Sequence, residues 1–178
     1  MNIFVLDENP KTAASMMCDK HVVKMIIESG QMLSACLDVN YLDEHRGNDD
    51  LRPSERLGLP QYPKAHVKHP CTMWVIESSA NFNWLVRHMR ALCLEYTRRY
   101  GKIHKLESTL MIYEAQKQYC KFAKDRRTPF KIAIKNTELH KPTVVSSYRN
   151  YYNMEKYTFA KWKLGNTPNW FSPQREVA

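Results

Sequence analysis

The sequence lacks the cysteine, hydrophobic and leader patterns that mark several protein classes. Its five cysteines are odd in number and widely spaced, without any Cys-x-x-Cys pair, which argues against a disulfide framework and a zinc ribbon. No apolar run approaches the roughly 20 residues of a membrane helix. The first residues lack the basic start and the small-residue cleavage site of a secretory leader. We therefore expect a cytoplasmic protein whose cysteines are reduced and mostly buried.

Internal repeats and low-complexity segments are absent as well. At 178 residues, 43% of them hydrophobic, the chain is long enough for one sizeable core and short for two. We predict a single domain over residues 1–178 and no cofactor.

The positive charge is concentrated in the second half of the chain. The net charge is +9, and residues 98–178 hold 17 Lys and Arg against 6 Asp and Glu, whereas residues 1–97 hold 10 against 12. Such asymmetry indicates a polyanionic partner. Nucleic acid is favoured over membrane because no basic segment carries a clean apolar stripe. A basic surface that serves only solubility is the alternative.

Apolar residues recur at helical spacing in four segments, which predicts a mainly α protein with long loops. The four predicted helices span residues 11–37, 71–100, 108–124 and 143–164, and Gly101 is the expected C-cap of the second. Residues 38–70 are rich in acidic residues and proline, which predicts a long loop. Residues 2–6 are either a short strand or an extended segment in the core, and residues 130–135 alternate like a short strand.

Ionisable side chains share one face of the first predicted helix. His21, Lys24 and Glu28 lie three and four residues apart, which places them on the same side. The helix is apolar around most of its remaining circumference, so these side chains occupy a narrow polar slot. A carboxylate in such a slot is typical of functional sites. The alternative is a salt-bridged surface that faces solvent.

The second predicted helix carries a similar polar strip, formed by Glu77, Asn81, His88 and Glu95 at spacings of 4, 7 and 7. Two helices facing each other through these strips would bring two histidines and up to three carboxylates into one cleft. Neither strip contains a His-x-x-x-His or Glu-x-x-His pair, so we predict no metal site.

Basic residues outside the strips favour nucleic acid. The stretch 66–74 brings His66, Lys68 and His69 to a helix N-terminus, where free backbone N–H groups favour phosphate. A proline at a helix start needs no functional explanation, however. Residues 96–105 and 124–131 interleave basic side chains with aromatics, a composition that combines phosphate contacts with base stacking. The residues predicted to bind nucleic acid are Lys20, Lys24, Lys68, His69, Arg98, Arg99, Lys102, Lys105, Arg126 and Arg127.

The first helix also resembles a known family. The run Asp19-Lys20-His21, with Glu28 seven residues after His21, is similar to the Asp-Gln-His run and catalytic Glu of the phage pyrimidine-dimer DNA glycosylase known as endonuclease V. The apolar start "NIFVL", the end of the second helix and the closing Pro168-Asn169-Trp170 are further likenesses. Over most of its length the chain resembles small phage and bacterial proteins with "MNIF", "DKHVVKM" and "HPC..W", a group without an established activity.

The resemblance implies a glycosylase-like helical fold and a DNA-acting enzyme, located in the host cytoplasm if a phage encodes it. In that family the N-terminal α-amine attacks C1′ of the sugar to form a Schiff base, and the helix-1 Glu assists. Carried over, Met1 supplies the nucleophile, Glu28 is the catalytic carboxylate, and His21 orients Glu28 or the sugar-phosphate. Trp170 joins the nucleic-acid-binding residues. An α-amine keeps a usable neutral fraction near neutral pH, which suits this chemistry.

Two differences from the family leave alternatives open. The family's nucleophile is a Thr exposed by removal of Met, whereas Asn2 follows Met1 here, and the arginines that flank the family's Glu correspond to Ile27 and Gln31. One alternative is therefore cleavage by Glu28 and water without lyase chemistry. The others are a phage enzyme that modifies a free nucleotide or base, and a non-catalytic protein that binds DNA or another protein.

Overall fold

The computed structural model describes residues 1–47, 50–59, 66–164 and 167–173. Seven α-helices lie in these ranges: α1 (Pro10–Met16), α2 (Asp19–Asn40), α3 (Pro53–Arg56), α4 (Pro70–Glu77), α5 (Ser79–Tyr100), α6 (Thr109–Gln116) and α7 (Val144–Tyr151). Short 3-10 turns and one π-helical stretch, Tyr152–Lys156, accompany them. Within the same ranges the only β-structure is two isolated bridges. The prediction of a mainly α fold is confirmed.

The long helices α2 and α5 pack against each other and form the centre of the fold. The shorter α1 lies on α5, and α4 lies on α2. Large side chains such as Trp74, Phe82 and Met32 are fully buried between them. Residues 2–6 are also buried and form no strand. Of the two alternatives predicted for them, the structure confirms the extended segment in the core. That residues 1–178 form one domain remains a prediction.

The first predicted helix is interrupted at residues 17–18, which separate α1 from α2. Their backbone is extended, with ψ angles of 140° and 161°. The carbonyl groups of Ser15 and Met17 accept hydrogen bonds of 3.0 and 2.8 Å from the Arg99 guanidinium of α5. Because a distant side chain satisfies these carbonyls, the helix ends here without leaving buried polar groups unpaired.

The second predicted helix is interrupted at Ser78, where the backbone is extended (φ −143°, ψ 139°). Its side-chain oxygen accepts a 3.1 Å hydrogen bond from the Ala80 N–H and donates one of 2.6 Å to the Arg126 carbonyl. Ser78 is thus the N-cap of α5. At the other end of α5, Gly101 has φ 66° and is the C-cap, as predicted.

The C-terminal half contains less regular structure than its apolar spacing predicts. α6 ends at Gln116 and α7 at Tyr151, well before residues 124 and 164. The predicted strand at 130–135 is wrong, because this segment pairs with side chains in place of a neighbouring strand. Phe130 packs against Trp74 and Trp84, and the Ala133 N–H donates to the Tyr148 hydroxyl at 2.9 Å.

The predicted loop at 38–70 contains local structure of its own. Asp38, at the end of α2, accepts hydrogen bonds of 2.8 and 2.9 Å from the backbone N–H and the hydroxyl of Ser54, which fixes α3 against α2. Residues 48–49 and 60–65 of this loop lie outside the described residues.

All five cysteines are free thiols, and four of them are buried while Cys120 is half-buried, as the sequence predicts. None of the helices in the described part of the chain combines the length and the apolar character that a membrane span requires. The cytoplasmic location remains a prediction.

Candidate active site

Glu28 lies in the third turn of α2, where the N-terminal segment crosses the helix. The residue is 9% exposed, and its Oε2 atom accepts a 2.6 Å hydrogen bond from the backbone N–H of Asn2. Its Oε1 atom lies 3.5 Å from Nζ of Lys24, one turn earlier. The carboxylate is therefore held between the start of the chain and a lysine amine. The alternative of a salt-bridged, solvent-facing strip is contradicted for Glu28, whereas Lys24 is exposed and forms such an ion pair.

The N-terminal segment is fixed by the side chain of Asn2. Its Oδ1 atom accepts the N–H groups of Ile3 and Phe4 at 2.8 and 3.0 Å, and its Nδ2 donates to the Ala133 carbonyl at 3.1 Å. Phe4 has φ 51°, a left-handed conformation that costs a non-glycine residue about 1–2 kcal/mol. Strain of this kind is common at functional sites and persists because the surrounding contacts hold it.

His21 supports this segment from the protein interior. It is 5% exposed, its ring stacks on Phe4 with centroids 4.2 Å apart, and its Nδ1 shares a short hydrogen bond with the Tyr152 hydroxyl. Burial, assisted by the positive charges of Lys156 and Lys24, lowers the pKa of His21 to about 3. The ring is therefore neutral at neutral pH. The enclosed ring packs on Phe4 and contacts Tyr152, and the roles of His21 in orienting Glu28 or the sugar-phosphate remain predictions.

A cavity of about 660 Å³ opens beside this junction. Its walls come from the N-terminus, the start of α4 and two later segments: Met1, His66, His69, Pro70, Ala133, Ile134, Lys135, Asn136, Tyr151 and Glu155. Asn2 connects the cavity to Glu28, since it bonds the carboxylate through its backbone and the wall residue Ala133 through its side chain. The volume lies in the range of small-molecule sites.

His69 is the N-cap of α4 and faces the same cavity. Its Nδ1 atom accepts the Cys71 N–H at 3.2 Å. Burial lowers the pKa of His69, and the positive charge of the chain's N-terminus lowers it further. Because Nδ1 is an acceptor, the neutral ring carries its proton on Nε2 and is a hydrogen-bond donor there. The stretch predicted to bind phosphate thus adjoins Met1.

Most of the residues predicted to bind nucleic acid are exposed but do not form one cluster. The exposed lysines and arginines of this set are Lys20, Lys24, Lys68, Arg98, Lys102, Lys105, Arg126 and Arg127. The last two line another cavity of about 790 Å³, formed by residues 122–129 and Ser79. Arg127 also contacts Glu8 at 2.7 Å. The structure therefore separates Arg126 and Arg127 from the cavity beside Glu28.

Arg99 is buried and Trp170 is half-buried, and both contact other parts of the protein. The Arg99 side chain is 1% exposed, and its N–H groups are directed to two carboxylates and two backbone carbonyls. A buried guanidinium with four hydrogen bonds to protein acceptors favours a structural role for Arg99, and its phosphate contact remains a prediction. Trp170 is half-buried, donates Nε1 to the Met16 sulfur at 3.3 Å, and packs edge-on against Tyr152.

The polar strip of the second predicted helix does not face Glu28. Its four members bond to loops and helix ends: Glu77 to Lys124, Asn81 to Thr128, His88 to Pro10, and Glu95 to Arg99. The predicted common cleft is therefore wrong, because each of these side chains bonds to a partner other than Glu28, although Nε2 of His88 is buried without a hydrogen-bond partner. In the ranges that the structure describes, no group of three or more His, Cys, Asp or Glu side chains is placed to hold a metal ion.

Several residues of the junction were not predicted as site residues, namely Asn2, Phe4, Ala133, Tyr151 and Tyr152. The contacts of Asn2 with Ala133 and of His21 with Tyr152 each join positions 131 residues apart. Local spacing carries no information about such pairs. The aromatic density of the stretch "YRNYYNMEKY" is the one sequence signal that could have drawn attention to Tyr151 and Tyr152.

A helical fold with a buried carboxylate held against the start of the chain is the arrangement expected from the resemblance. A family model described as pyrimidine dimer DNA glycosylase matches residues 1–108, a range that contains Glu28, His21, the N-terminal segment and the start of α4. The chain belongs to this family, which confirms the resemblance and supports a DNA-glycosylase-like role. No curated protein and no solved structure matches the chain.

The matched range supplies only part of the cavity wall. Residues 133–136, Tyr151 and Glu155 line the cavity but lie beyond residue 108. The C-terminal part of the chain therefore completes the candidate site.

Proposed function

We propose that the protein is a DNA glycosylase that cleaves the N-glycosidic bond of a damaged or modified base, with Glu28 as its catalytic carboxylate. The observation that carries the proposal is the 2.6 Å hydrogen bond between Glu28 Oε2 and the Asn2 N–H, formed where the N-terminal segment borders a cavity. Membership of the pyrimidine dimer DNA glycosylase family supports DNA as the substrate.

The chemistry requires a negative charge where positive charge develops. As the base leaves with the bonding electron pair, C1′ and the ring oxygen of the sugar become electron-deficient. A carboxylate that is already oriented and largely shielded from water stabilises this charge without reorganising. Glu28 meets both conditions. His21 is a positioning residue in this proposal, since it holds Phe4 and thereby the segment that Glu28 bonds.

The nitrogen held against Glu28 belongs to residue 2 and not to the predicted nucleophile, Met1. In a chain that keeps Met1 this nitrogen is an amide, which is not nucleophilic. In a chain from which Met1 has been removed it is a primary amine, placed against the carboxylate as the family mechanism requires. Intact-mass measurement of the purified protein distinguishes the two forms.

The DNA backbone is proposed to contact the exposed basic residues of the predicted set and His69, which lines the cavity. Each phosphate that is neutralised releases counterions, so the affinity for duplex DNA should fall steeply as salt rises. An enzyme for free nucleotides would show a shallow salt dependence, because its ligand offers few phosphates. A weak and salt-independent affinity for duplex DNA would therefore favour the nucleotide-modifying alternative.

The decisive variant is Glu28→Gln, which keeps the shape and an acceptor for the Asn2 N–H but removes the charge. We expect cleavage of the N-glycosidic bond in a duplex containing a pyrimidine dimer to fall by at least about 100-fold, while the dissociation constant for the same DNA stays nearly unchanged. The cleaved base stays joined to its dimer partner, so cleavage is measured under single-turnover conditions as the alkali-labile abasic site that it leaves, on a denaturing gel, and binding by fluorescence anisotropy.

Glu44→Gln is the matched control, because the Glu44 side chain is 73% exposed and lies outside the junction. It should leave both measurements unchanged. Equal rates for Glu28→Gln and the unaltered protein would refute the catalytic assignment. If the protein binds several lesion-containing duplexes but cleaves no N-glycosidic bond in any of them, the result would favour a non-catalytic binding protein.

A further inference from the structure

Lys24 supplies the amine that lies against Glu28. Its Nζ atom is 3.5 Å from Oε1 of Glu28, whereas Oε2 is occupied by the Asn2 N–H. The Lys24 side chain is 67% exposed and that of Glu28 is 12% exposed. The pair therefore joins a shielded carboxylate to an amine that an incoming DNA strand can reach.

Helix stabilisation does not account well for this pair. Lysine precedes glutamate at i, i+4, which is the weaker of the two orders because it opposes the helix dipole. An ion pair whose lysine is exposed to solvent contributes little to stability. The arrangement instead indicates a reactive amine, because a lysine forms a Schiff base with a sugar carbon when an adjacent general base accepts its proton.

We propose that Lys24 is the nucleophile that attacks C1′ of the deoxyribose and forms the Schiff base in the protein that retains Met1. The inference rests on the proposed glycosylase function and deepens it. The α-amine of Met1 lies at the cavity wall with His69, and the Asn2 nitrogen is an amide in this form. Lys24 is thus the primary amine that the structure places in contact with the catalytic carboxylate.

The proposed step balances in protons and electrons. The Lys24 ammonium passes one proton to Glu28, and the amine lone pair attacks C1′. The bond between C1′ and the base breaks, and the base leaves with the electron pair and takes a second proton from the nitrogen. The C1′–O4′ bond then opens, O4′ receives the proton held by Glu28, and a protonated imine joins C1′ to Lys24. Glu28 ends as the carboxylate it was at the start.

Borohydride trapping tests the assignment directly. A duplex with an abasic site is incubated with the protein whose intact mass shows Met1, and the hydride reduces the imine to a stable secondary amine. On this substrate the group lost is water, so the reaction does not depend on which base is recognised. Peptide mapping by mass spectrometry should place the sugar adduct on the peptide that contains Lys24.

Lys24→Arg keeps the positive charge but lacks a primary amine, so trapping should fall by at least about 100-fold with DNA affinity nearly kept. Lys121→Arg is the matched control, because Lys121 is an exposed lysine that is not among the residues proposed to contact DNA. It should trap as the unaltered protein does. An adduct on the N-terminal residue, undiminished trapping by Lys24→Arg, or no adduct at all would each overturn the assignment.

The two proposals fail in distinguishable ways. In one outcome the unaltered protein cleaves the N-glycosidic bond, Glu28→Gln does not, and the adduct maps to the N-terminal residue. This outcome would support the glycosylase function and refute the role of Lys24. In the other outcome no N-glycosidic bond is cleaved at any lesion, but the adduct with the abasic site maps to Lys24. This outcome would support Lys24 as the nucleophile and refute the glycosylase function.

Discussion

Replacing Arg99 by methionine tests whether this arginine is structural. Methionine retains the apolar part of the side chain but removes donors from two backbone carbonyls and from the carboxylates of Asp19 and Glu95, which are 20% and 14% exposed. Breaking a buried ion pair costs about 3–5 kcal/mol, and each unpaired buried acceptor about 1–3 kcal/mol. Because both carboxylates keep some contact with water, we expect a total loss of about 3–5 kcal/mol.

Urea denaturation followed by tryptophan fluorescence measures this loss. With a slope of about 2–3 kcal/mol per molar urea, the midpoint of Arg99→Met should lie about 1–2.5 M lower than that of the unaltered protein. The neighbouring Arg98 is 44% exposed and contacts Glu95 at 2.7 Å, so Arg98→Met should lose only about 0–1 kcal/mol. Equal midpoints for the two variants, or a weakened DNA affinity of Arg99→Met with an unchanged midpoint, would refute the reasoning.

Three further changes in stability are expected. Burial lowers the pKa of His21 to about 3 and that of His88 to about 4. As the pH falls, these histidines are therefore protonated in the unfolded chain before they are protonated in the folded protein. Their contribution to the free energy of unfolding is complete above pH 6.5 and should fall toward pH 4, by up to about 1.4 kcal/mol per pH unit for each histidine. Urea midpoints at pH 7.5 and 5 measure this, and a smaller difference is expected for His88→Gln; a pH-independent midpoint would contradict it. Gly30→Ala should stabilise by about 0.5–1 kcal/mol, since the added Cβ meets Leu106 at an ordinary 3.5 Å. Gly101→Ala should destabilise by about 1 kcal/mol because φ is 66°, so Tm shifts of the same sign for the two glycine variants would contradict one of the two expectations.

The helical fold and the carboxylate of the site were predictable because both depend on local spacing. Apolar periodicity located α2 and α5, and the spacing of His21, Lys24 and Glu28 placed them on one face. The breaks at residues 17–18 and at Ser78 were not predictable, since extended backbone there is held by Arg99 and by Arg126 from distant parts of the chain. Hydrophobic spacing continues smoothly across both breaks.

The role of individual polar residues was harder to predict than the fold. Arg99 looks like any exposed arginine in a basic cluster, yet its side chain is buried and makes four hydrogen bonds to other parts of the protein. Asn2 gives no signal in the sequence, although its amide fixes the chain start to Ala133. Whether a polar side chain is free for a ligand depends on partners that only the folded chain supplies.

The two sides of the cavity come from residues that are far apart in the sequence, and this has a consequence for how the protein folds during its synthesis. A ribosome completes the helix that carries Glu28 early, but the opposing wall at residues 133–136 and 151–155 emerges only after most of the chain has been made. Contacts across such a distance form late in folding because the intervening loop must first be ordered. The nascent chain would therefore gain its finished pocket near the end of translation, and a prematurely terminated product would carry the carboxylate without the enclosure around it.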